Sequence, residues 1–152
     1  MKRLLLLSGL ILSFSGIACR KDEPATNPDF YCTQNKSPAP DFLFKLLQGR
    51  WKLYGEYCGE CSKPGVNLFD GKSVVLIFSK DSTLQLIENG QSVGTAKFSI
   101  VPNTSYFETY TIKTDPAVSG YVYGYILTCN GRVGFADAYR DGADYYFERY
   151  TQ

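Results

Sequence analysis

Histidine is missing altogether from this sequence of 152 residues. Its absence excludes serine–histidine and cysteine–histidine nucleophiles and removes the commonest general base and metal ligand. No glycine-rich phosphate loop precedes a helical pattern, and no calcium-loop spacing of acidic residues occurs. The 16 basic and 15 acidic residues nearly cancel, so bulk charge does not favour binding to nucleic acid. We therefore expect neither an enzyme nor a nucleic-acid-binding protein, with no cofactor and no metal site.

Long hydrophobic runs are also scarce, and the one that exists lies at the N-terminus. Two basic residues open the chain, a mostly apolar run covers 4–17, and Cys19 follows a small residue. A membrane-spanning helix needs about 20 apolar residues, whereas this order is typical of a secretory signal peptide. We predict a signal peptide over 1–18 and lipidation of Cys19, although Gly16 stands where lipoprotein cleavage motifs usually carry Leu, Val or Ile. An ordinary signal peptide with an incidental cysteine is the alternative.

The residues after Cys19 bear on where such a lipoprotein is held. Four charged residues follow at 20–23. This pattern resembles the signal that sends some Gram-negative lipoproteins to the outer face of the outer membrane, and it lacks the aspartate that usually retains lipoproteins in the inner membrane. We expect an outer-membrane lipoprotein of the cell envelope, held by acyl chains such as palmitate as its only membrane contact. Surface display and a simple solvated linker both stay open.

A tether and a short helix precede the predicted sheet. Prolines stand among small polar residues over 20–40, and such a stretch buries too little surface to offset its ordering entropy. We therefore predict a lipidated cysteine and flexible tether over 19–40. From Asp41, apolar residues at helical spacing predict a short helix that Gly49 ends. The predicted folded domain covers 41–152.

From residue 50 onward the sequence indicates strands. It is rich in β-branched and aromatic residues, and Gly, Asn and Asp interrupt it at short intervals. The eight predicted strands are 50–58, 72–79, 83–88, 91–101, 105–113, 120–129, 132–139 and 144–151. Short connections make neighbouring strands antiparallel, and closure of the sheet removes its two edges. The predicted fold class is all-β, an eight-stranded up-and-down antiparallel β-barrel with a short N-terminal helix.

Two short motifs resemble those of lipocalin-like barrels in bacterial lipoproteins. Gly-Arg-Trp at 49–51 opens the first strand after a short helix, and Phe-Glu-Arg-Tyr at 147–150 lies in the last strand. In lipocalins an arginine of the last strand packs across such a tryptophan, so the resemblance implies this structural role for Trp51 and Arg149. Strand parity places both residues at the end where the first strand begins, called the bottom from here on. There a cation–π pair is worth about 0.5–2 kcal/mol. A role of Arg149 in holding a ligand is the alternative.

Four cysteines besides Cys19 remain, namely Cys32, Cys58, Cys61 and Cys129. An even number in an exported chain suggests disulfides, with three possible connectivities. Strand parity places Cys32 and Cys129 at the bottom and Cys58 and Cys61 at the top. We therefore predict the disulfides Cys32–Cys129 and Cys58–Cys61. Redox and zinc roles for Cys58 and Cys61 are weaker alternatives, because no helix follows and no second ligand pair stands nearby.

The aromatic residues are the positive evidence for binding. The chain contains 12 Tyr and 10 Phe, and tyrosine offers apolar area together with a hydroxyl group. We predict a calyx that binds a small hydrophobic or aromatic molecule. The predicted ligand-binding residues are Tyr57, Phe69, Phe78, Tyr110, Tyr123, Tyr125, Phe135 and Phe147. In one alternative the barrel is packed and the domain contacts an envelope or host protein. In another, Glu108 and Asp137 form a catalytic carboxylate pair.

Overall fold

The computed structural model describes most of the chain from residue 38 onward. The described ranges are 38–58, 65–68, 72–103, 109–118, 120–129, 131–136 and 143–151. Within them lie the helix α1 (Pro40–Leu47) and the strands β1 (Gly49–Cys58), β2 (Gly65–Leu68), β3 (Val74–Phe78), β4 (Thr83–Glu88), β5 (Gln91–Asn103), β6 (Thr109–Asp115), β7 (Tyr125–Cys129), β8 (Arg132–Ala136) and β9 (Asp144–Arg149). No helix in this part of the chain is long and apolar enough to cross a membrane.

Eight of these strands form a closed barrel. Strands that follow one another from β3 to β9 pair antiparallel, and β1 pairs with both β3 and β9. At this seam Trp51 lies opposite Leu76 on one side and opposite Arg149 on the other. The first and last strands of the barrel are therefore neighbours. The predicted fold class, an all-β eight-stranded up-and-down barrel with a short N-terminal helix, is confirmed.

The connection after β1 contains a short strand that the sequence did not predict. β2 pairs antiparallel with the top of β1, from Gly55 opposite Leu68 to Cys58 opposite Gly65. The lower half of β1 pairs instead with β3, and β9 follows its other side. A strand of four residues that follows a Cys-, Pro- and Gly-rich stretch of sequence is too short to show an alternating pattern.

The largest departure from the predicted strands lies at 120–124. The sixth strand was expected over 120–129, but β7 begins only at Tyr125. The adjacent residues Tyr121 and Val122 are buried, at 9% and 5% exposure, and both belong to the core cluster, whereas alternation along a strand turns neighbouring side chains to opposite faces. Gly124 adopts φ +70°, a left-handed conformation that interrupts an extended chain. Tyr121 and Tyr125 therefore do not share one strand face, as they would in a continuous strand over 120–129.

The helix α1 covers the bottom of the barrel. A proline in its first turn presets the backbone, and Asp41 and Lys45 lie at the ends where their charges oppose the helix dipole. Leu43 and Leu47 are completely buried. Phe44 stacks on Phe98 with a distance of 5.4 Å between the ring centres. The apolar face of the helix thus continues the core of the lumen.

Trp51 and Arg149 lock the seam to this helix. The guanidinium carbon of Arg149 lies 4.2 Å from the centre of the Trp51 ring. Trp51 Nε1 donates a hydrogen bond to the carbonyl of Leu47 at 2.6 Å. Arg149 donates to the carbonyls of Gln48 and, at 2.9 Å, Leu46. Because the last carbonyls of a helix have no partner within it, these contacts both cap α1 and join the two end strands. The geometry favours the structural role that the resemblance implies over a ligand contact.

Candidate binding site

Three of the predicted ligand-binding residues meet in the lumen, where they pack against one another. The ring centre of Phe135 lies 6.2 Å from that of Phe78 and 5.8 Å from that of Phe147. Phe98 joins them through an edge contact with Phe78 at 5.1 Å. All four side chains are 4% exposed or less. These rings form a close-packed aromatic core in the middle of the lumen, so they fill the space that the calyx hypothesis reserved for a ligand.

Tyr110 and Tyr125 do not join this cluster. Tyr110 is half-buried and packs against the edge of the core. On β7, Ile126 is 1% exposed and lies opposite Phe135, so it faces the lumen. Because side chains alternate along a strand, the neighbouring Tyr125 points to the outer side of the barrel. Tyr125 is therefore not placed to line the lumen.

Two more of the predicted ligand-binding residues, Tyr57 and Tyr123, belong to the top of the barrel. Tyr57 lies near the end of β1, opposite Asp144 of β9. Tyr123 is half-buried, and its hydroxyl donates a hydrogen bond to the carbonyl of Ala143 at 2.5 Å. Phe69 lies outside the described residues. The structure thus distributes the predicted set over the lumen, the outer face and the top.

Two of the five cysteines, Cys58 and Cys129, lie within the described residues. Cys19, Cys32 and Cys61 lie outside the described residues. Cys129 is disulfide-bonded and ends β7 at the bottom, while Cys58 ends β1 at the top. The pairing of these cysteines and the lipidation of Cys19 stay predictions.

The catalytic alternative also falls outside the described part of the chain. Both Glu108 and Asp137 belong to segments that the structure does not describe. Among the described residues, no three Cys, Asp or Glu side chains come close enough together to hold a metal ion.

A pocket opens at the top of the barrel, where β5 and β6 part. The two strands pair from Asn103 opposite Thr109 up to Lys97 opposite Asp115. Pro116 follows, and it has no backbone N–H with which to continue the ladder. The chain then leaves β5, so among the described residues no strand pairs with this side of 91–96.

The space between the diverging chains has a volume of about 360 Å³. We call it the rim pocket. Its lining residues are Leu86, Glu88, Val93, Gly94, Thr95, Pro116, Ala117 and Val118. Small-molecule sites typically have volumes of about 300–1,000 Å³, apolar walls and a few polar groups. Here Glu88 and Thr95 supply the polar side chains, and Glu88 is the one charged residue among the described residues of the lining.

Close packing forms the floor of the rim pocket. Val118 is 6% exposed and lies against Gly94, where an added Cβ would come within 3.4 Å of the valine Cγ1. Leu86 faces Gly94 across the β4–β5 pair and is buried as well. The register shifts between Leu86 and Ile87, which leaves Val93 as the extra residue of a bulge, and its side chain is 53% exposed. The rim pocket therefore has a buried apolar floor, and the exposed side chain of Val93 stands at its opening.

Beside the rim pocket lies a polar group that we call the rim cluster, made of Lys72, Glu88, Tyr121 and Tyr145. Lys72 Nζ donates a hydrogen bond to the Tyr121 hydroxyl and lies 3.5 Å from Glu88 Oε2. The ring of Tyr121 meets that of Tyr145 edge-on at 5.1 Å. The side chains of Lys72 and Glu88 are 42% and 26% exposed. Glu88 belongs to both groups, so its side chain joins the rim cluster to the rim pocket.

The electrostatics of the rim cluster favour a charged lysine and a neutral phenol. The hydrogen bond to Tyr121 raises the pKa of Lys72, and the negative charge of Glu88 adds to this effect. Burial raises the pKa of Tyr145, and the nearby carboxylate of Glu56 raises it further. Near neutral pH Lys72 is therefore an ammonium group and Tyr145 an uncharged phenol.

Neither the rim pocket nor the rim cluster was predicted from the sequence. The available signal was Pro116 at the end of a strand pattern, followed by glycines at Gly120 and Gly124. Such residues mark a segment that cannot continue the sheet and must cross the top of the barrel. That signal locates the segment, but it does not show which side chains of β4 and β5 would face it.

The fold defines the structural class of the described chain. The described chain is a closed eight-stranded antiparallel barrel with a capping helix, consistent with a lipocalin-like fold. Comparisons with protein-family models, with curated proteins and with solved structures found no match.

Proposed function

We propose that this protein is a lipid-anchored lipoprotein of the cell envelope whose barrel binds a small apolar or aromatic molecule. The observation that supports binding is the rim pocket at the divergence of β5 and β6. The proposed site therefore lies at the rim, because aromatic rings fill the middle of the lumen. We propose a role in binding and not in catalysis.

The walls of the rim pocket suit a molecule that is largely apolar with one polar end. Leu86, Val93 and Val118 supply branched apolar surface. The backbone N–H of Phe98 points toward β4, where it donates a hydrogen bond to the carbonyl of Ser82. Backbone groups alternate in direction along a strand, so the N–H and C=O of Thr95 point away from β4, toward the rim pocket. A ligand that buries about 200 Å² of apolar surface gains about 5 kcal/mol before association costs. We therefore expect affinities in the micromolar to millimolar range.

The lipid anchor and the rim pocket lie at opposite ends in this proposal. The described chain enters the barrel through α1 at the bottom. Glu88 lies opposite Val74 at the top. A tether that runs from a lipidated Cys19 to α1 would direct the rim pocket away from the outer membrane. Metabolic labelling with palmitate tests the anchor: we expect label and membrane association in the wild type and neither in Cys19→Ser.

Blocking the rim pocket tests the binding proposal. The exposed Ala117 lines the pocket, so Ala117→Trp should fill it without disturbing the core. The matched control is Ser99→Trp, which places the same side chain at an exposed position on the lower half of β5. In a titration with the uncharged apolar dye N-phenyl-1-naphthylamine, we expect binding to be lost in the first variant and kept in the second. Equal binding by both variants would place the dye elsewhere and contradict the proposal.

A second candidate function is favoured by the filled lumen. A packed barrel needs no internal ligand and can serve as a rigid module that contacts an envelope or host protein. Phe42 and Val93 are large apolar side chains that are 55% and 53% exposed. Crosslinking in whole cells, with a photoreactive residue at either position, should capture a discrete protein partner if this candidate is correct. The two residues lie at opposite ends, so the position that crosslinks identifies the contact surface.

A further inference from the structure

We infer that the rim pocket selects apolar molecules that carry an ammonium group, and that Lys72 competes with this group for the carboxylate of Glu88. The inference rests on the proposed binding function and names the ligand class of the same site. It is carried by the position of Glu88, which lines the pocket and contacts the lysine at once.

The first step concerns the charge inside the pocket. Of the lining residues that the structure describes, Glu88 alone is charged, and its side chain is 26% exposed. The inward face of β4 also carries the buried Leu86, so the carboxylate stands at the edge of apolar surface. A carboxylate that is partly removed from water attracts a nearby cation more strongly than one in bulk solvent. An ammonium group on a bound apolar molecule is therefore attracted to the carboxylate of Glu88, whereas a carboxylate group is repelled.

The second step concerns Lys72, which is not part of the lining. Its ammonium group donates to the Tyr121 hydroxyl, and Nζ lies 5.1 Å from the centre of the Tyr121 ring. Its distance to Glu88 Oε2 is longer than that hydrogen bond, at 3.5 Å. Lys72 therefore keeps its hydroxyl contact when another cation approaches Glu88. The lysine acts as an internal competitor that lowers the affinity for a ligand ammonium group.

The third step concerns the charges around the rim cluster. Glu56 on β1 contributes a second carboxylate close enough to Tyr145 to raise its pKa. Lys72 precedes β3 and Glu88 ends β4. Among these described groups, Glu56 and Glu88 are two carboxylates and Lys72 is one ammonium group, so their summed charge is negative. An added positive charge restores neutrality, whereas an added negative charge increases the repulsion.

The test uses three probes that share one ring and differ in their polar group: benzylamine, benzyl alcohol and benzoate. Each is titrated into the full-length protein in detergent while the backbone amide signals of Val93, Thr95 and Val118 are followed by NMR. We expect benzylamine to bind about tenfold more tightly than benzyl alcohol, and benzoate to bind most weakly.

Two substitutions should act in opposite directions. Glu88→Gln should lower benzylamine affinity to that of benzyl alcohol and leave the alcohol unchanged. Lys72→Met should raise benzylamine affinity about threefold, because it removes the competitor. Lys113→Met is the control, since this exposed lysine lies on β6 outside the rim pocket and should change nothing.

The outcomes separate the inference from the function on which it rests. If benzyl alcohol shifts the pocket amides but benzylamine shows no advantage, the ammonium preference is wrong and the binding function stands. If benzoate binds most tightly and Lys72→Met abolishes its binding, Lys72 is the ligand contact and the inference is overturned. If none of the three probes shifts these amides, the proposed binding function fails as well.

Discussion

Removal of the Arg149 guanidinium should destabilise the barrel more than its surface position suggests. Arg149 packs over Trp51 and donates to the carbonyls of Leu46 and Gln48, so Arg149→Met loses three contacts at once. The cation–π contact is worth about 1 kcal/mol at a partly exposed site. Each hydrogen bond adds a net contribution of about 1 kcal/mol. We therefore expect the free energy of unfolding to fall by about 2–3 kcal/mol.

Urea unfolding followed by tryptophan fluorescence measures this change directly, because Trp51 is the one tryptophan of the chain. The matched control is Arg50→Met, which removes a guanidinium that lies 5.6 Å from the centre of the Tyr150 ring. That looser contact predicts a loss of at most about 1 kcal/mol. Equal losses in the two variants, or a loss below about 0.5 kcal/mol in Arg149→Met, would refute the idea that this residue locks the seam.

Three further predictions concern the core and the rim. Gly49 has φ +113°, and a Cβ there would lie 2.6 Å from Arg149 Nη1, so Gly49→Ala should cost about 1–3 kcal/mol in urea unfolding. Gly120→Ala meets nothing within 4 Å and should be nearly neutral, and equal effects would contradict the steric argument. Phe135→Ala leaves a cavity among packed rings and should cost about 3–5 kcal/mol, whereas a loss below about 1 kcal/mol would mean that the lumen is not packed. Because the pKa of Tyr145 is raised, its contribution to the free energy of unfolding is present at pH values below about 10 and is lost as the pH rises further. The stability of Tyr145→Phe should therefore fall less steeply at alkaline pH, and a curve equal to that of the wild type would contradict this role of Tyr145.

Much of the fold was predictable because the governing signals are local. Turn residues such as Asn89 and Gly90, both with positive φ, mark a hairpin that the sequence predicts directly. Short connections then fix antiparallel neighbours. Closure of the sheet was predictable because an open sheet would leave the edges of its first and last strands exposed. The contact of Trp51 with Arg149 needed only strand parity and the resemblance, and the structure brings the two together.

The candidate site was harder to predict because it depends on where the chain leaves the sheet. Tyr121, Val122 and Tyr123 have the composition of a strand, yet they form an irregular segment that places two neighbouring side chains in the core. A two-residue period cannot describe such a segment. The rim pocket adds residues of β4 and β5 that become neighbours of 116–118 only through this departure. Composition indicated the aromatic rings, but it did not show whether they would pack together or surround a cavity.

The seam also governs the order of events during folding. Arg149 reaches the Leu46 carbonyl across 103 positions of the chain, whereas the hairpins between β3 and β5 close over only a few residues. Loop-closure entropy makes distant pairings late and slow. Hairpins should therefore form while synthesis is still in progress, and the barrel should close only once β9 is available. Until then the unpaired edges of β1 and β9 can pair with strands of other chains. The protein is therefore most prone to aggregate with its own copies during this interval.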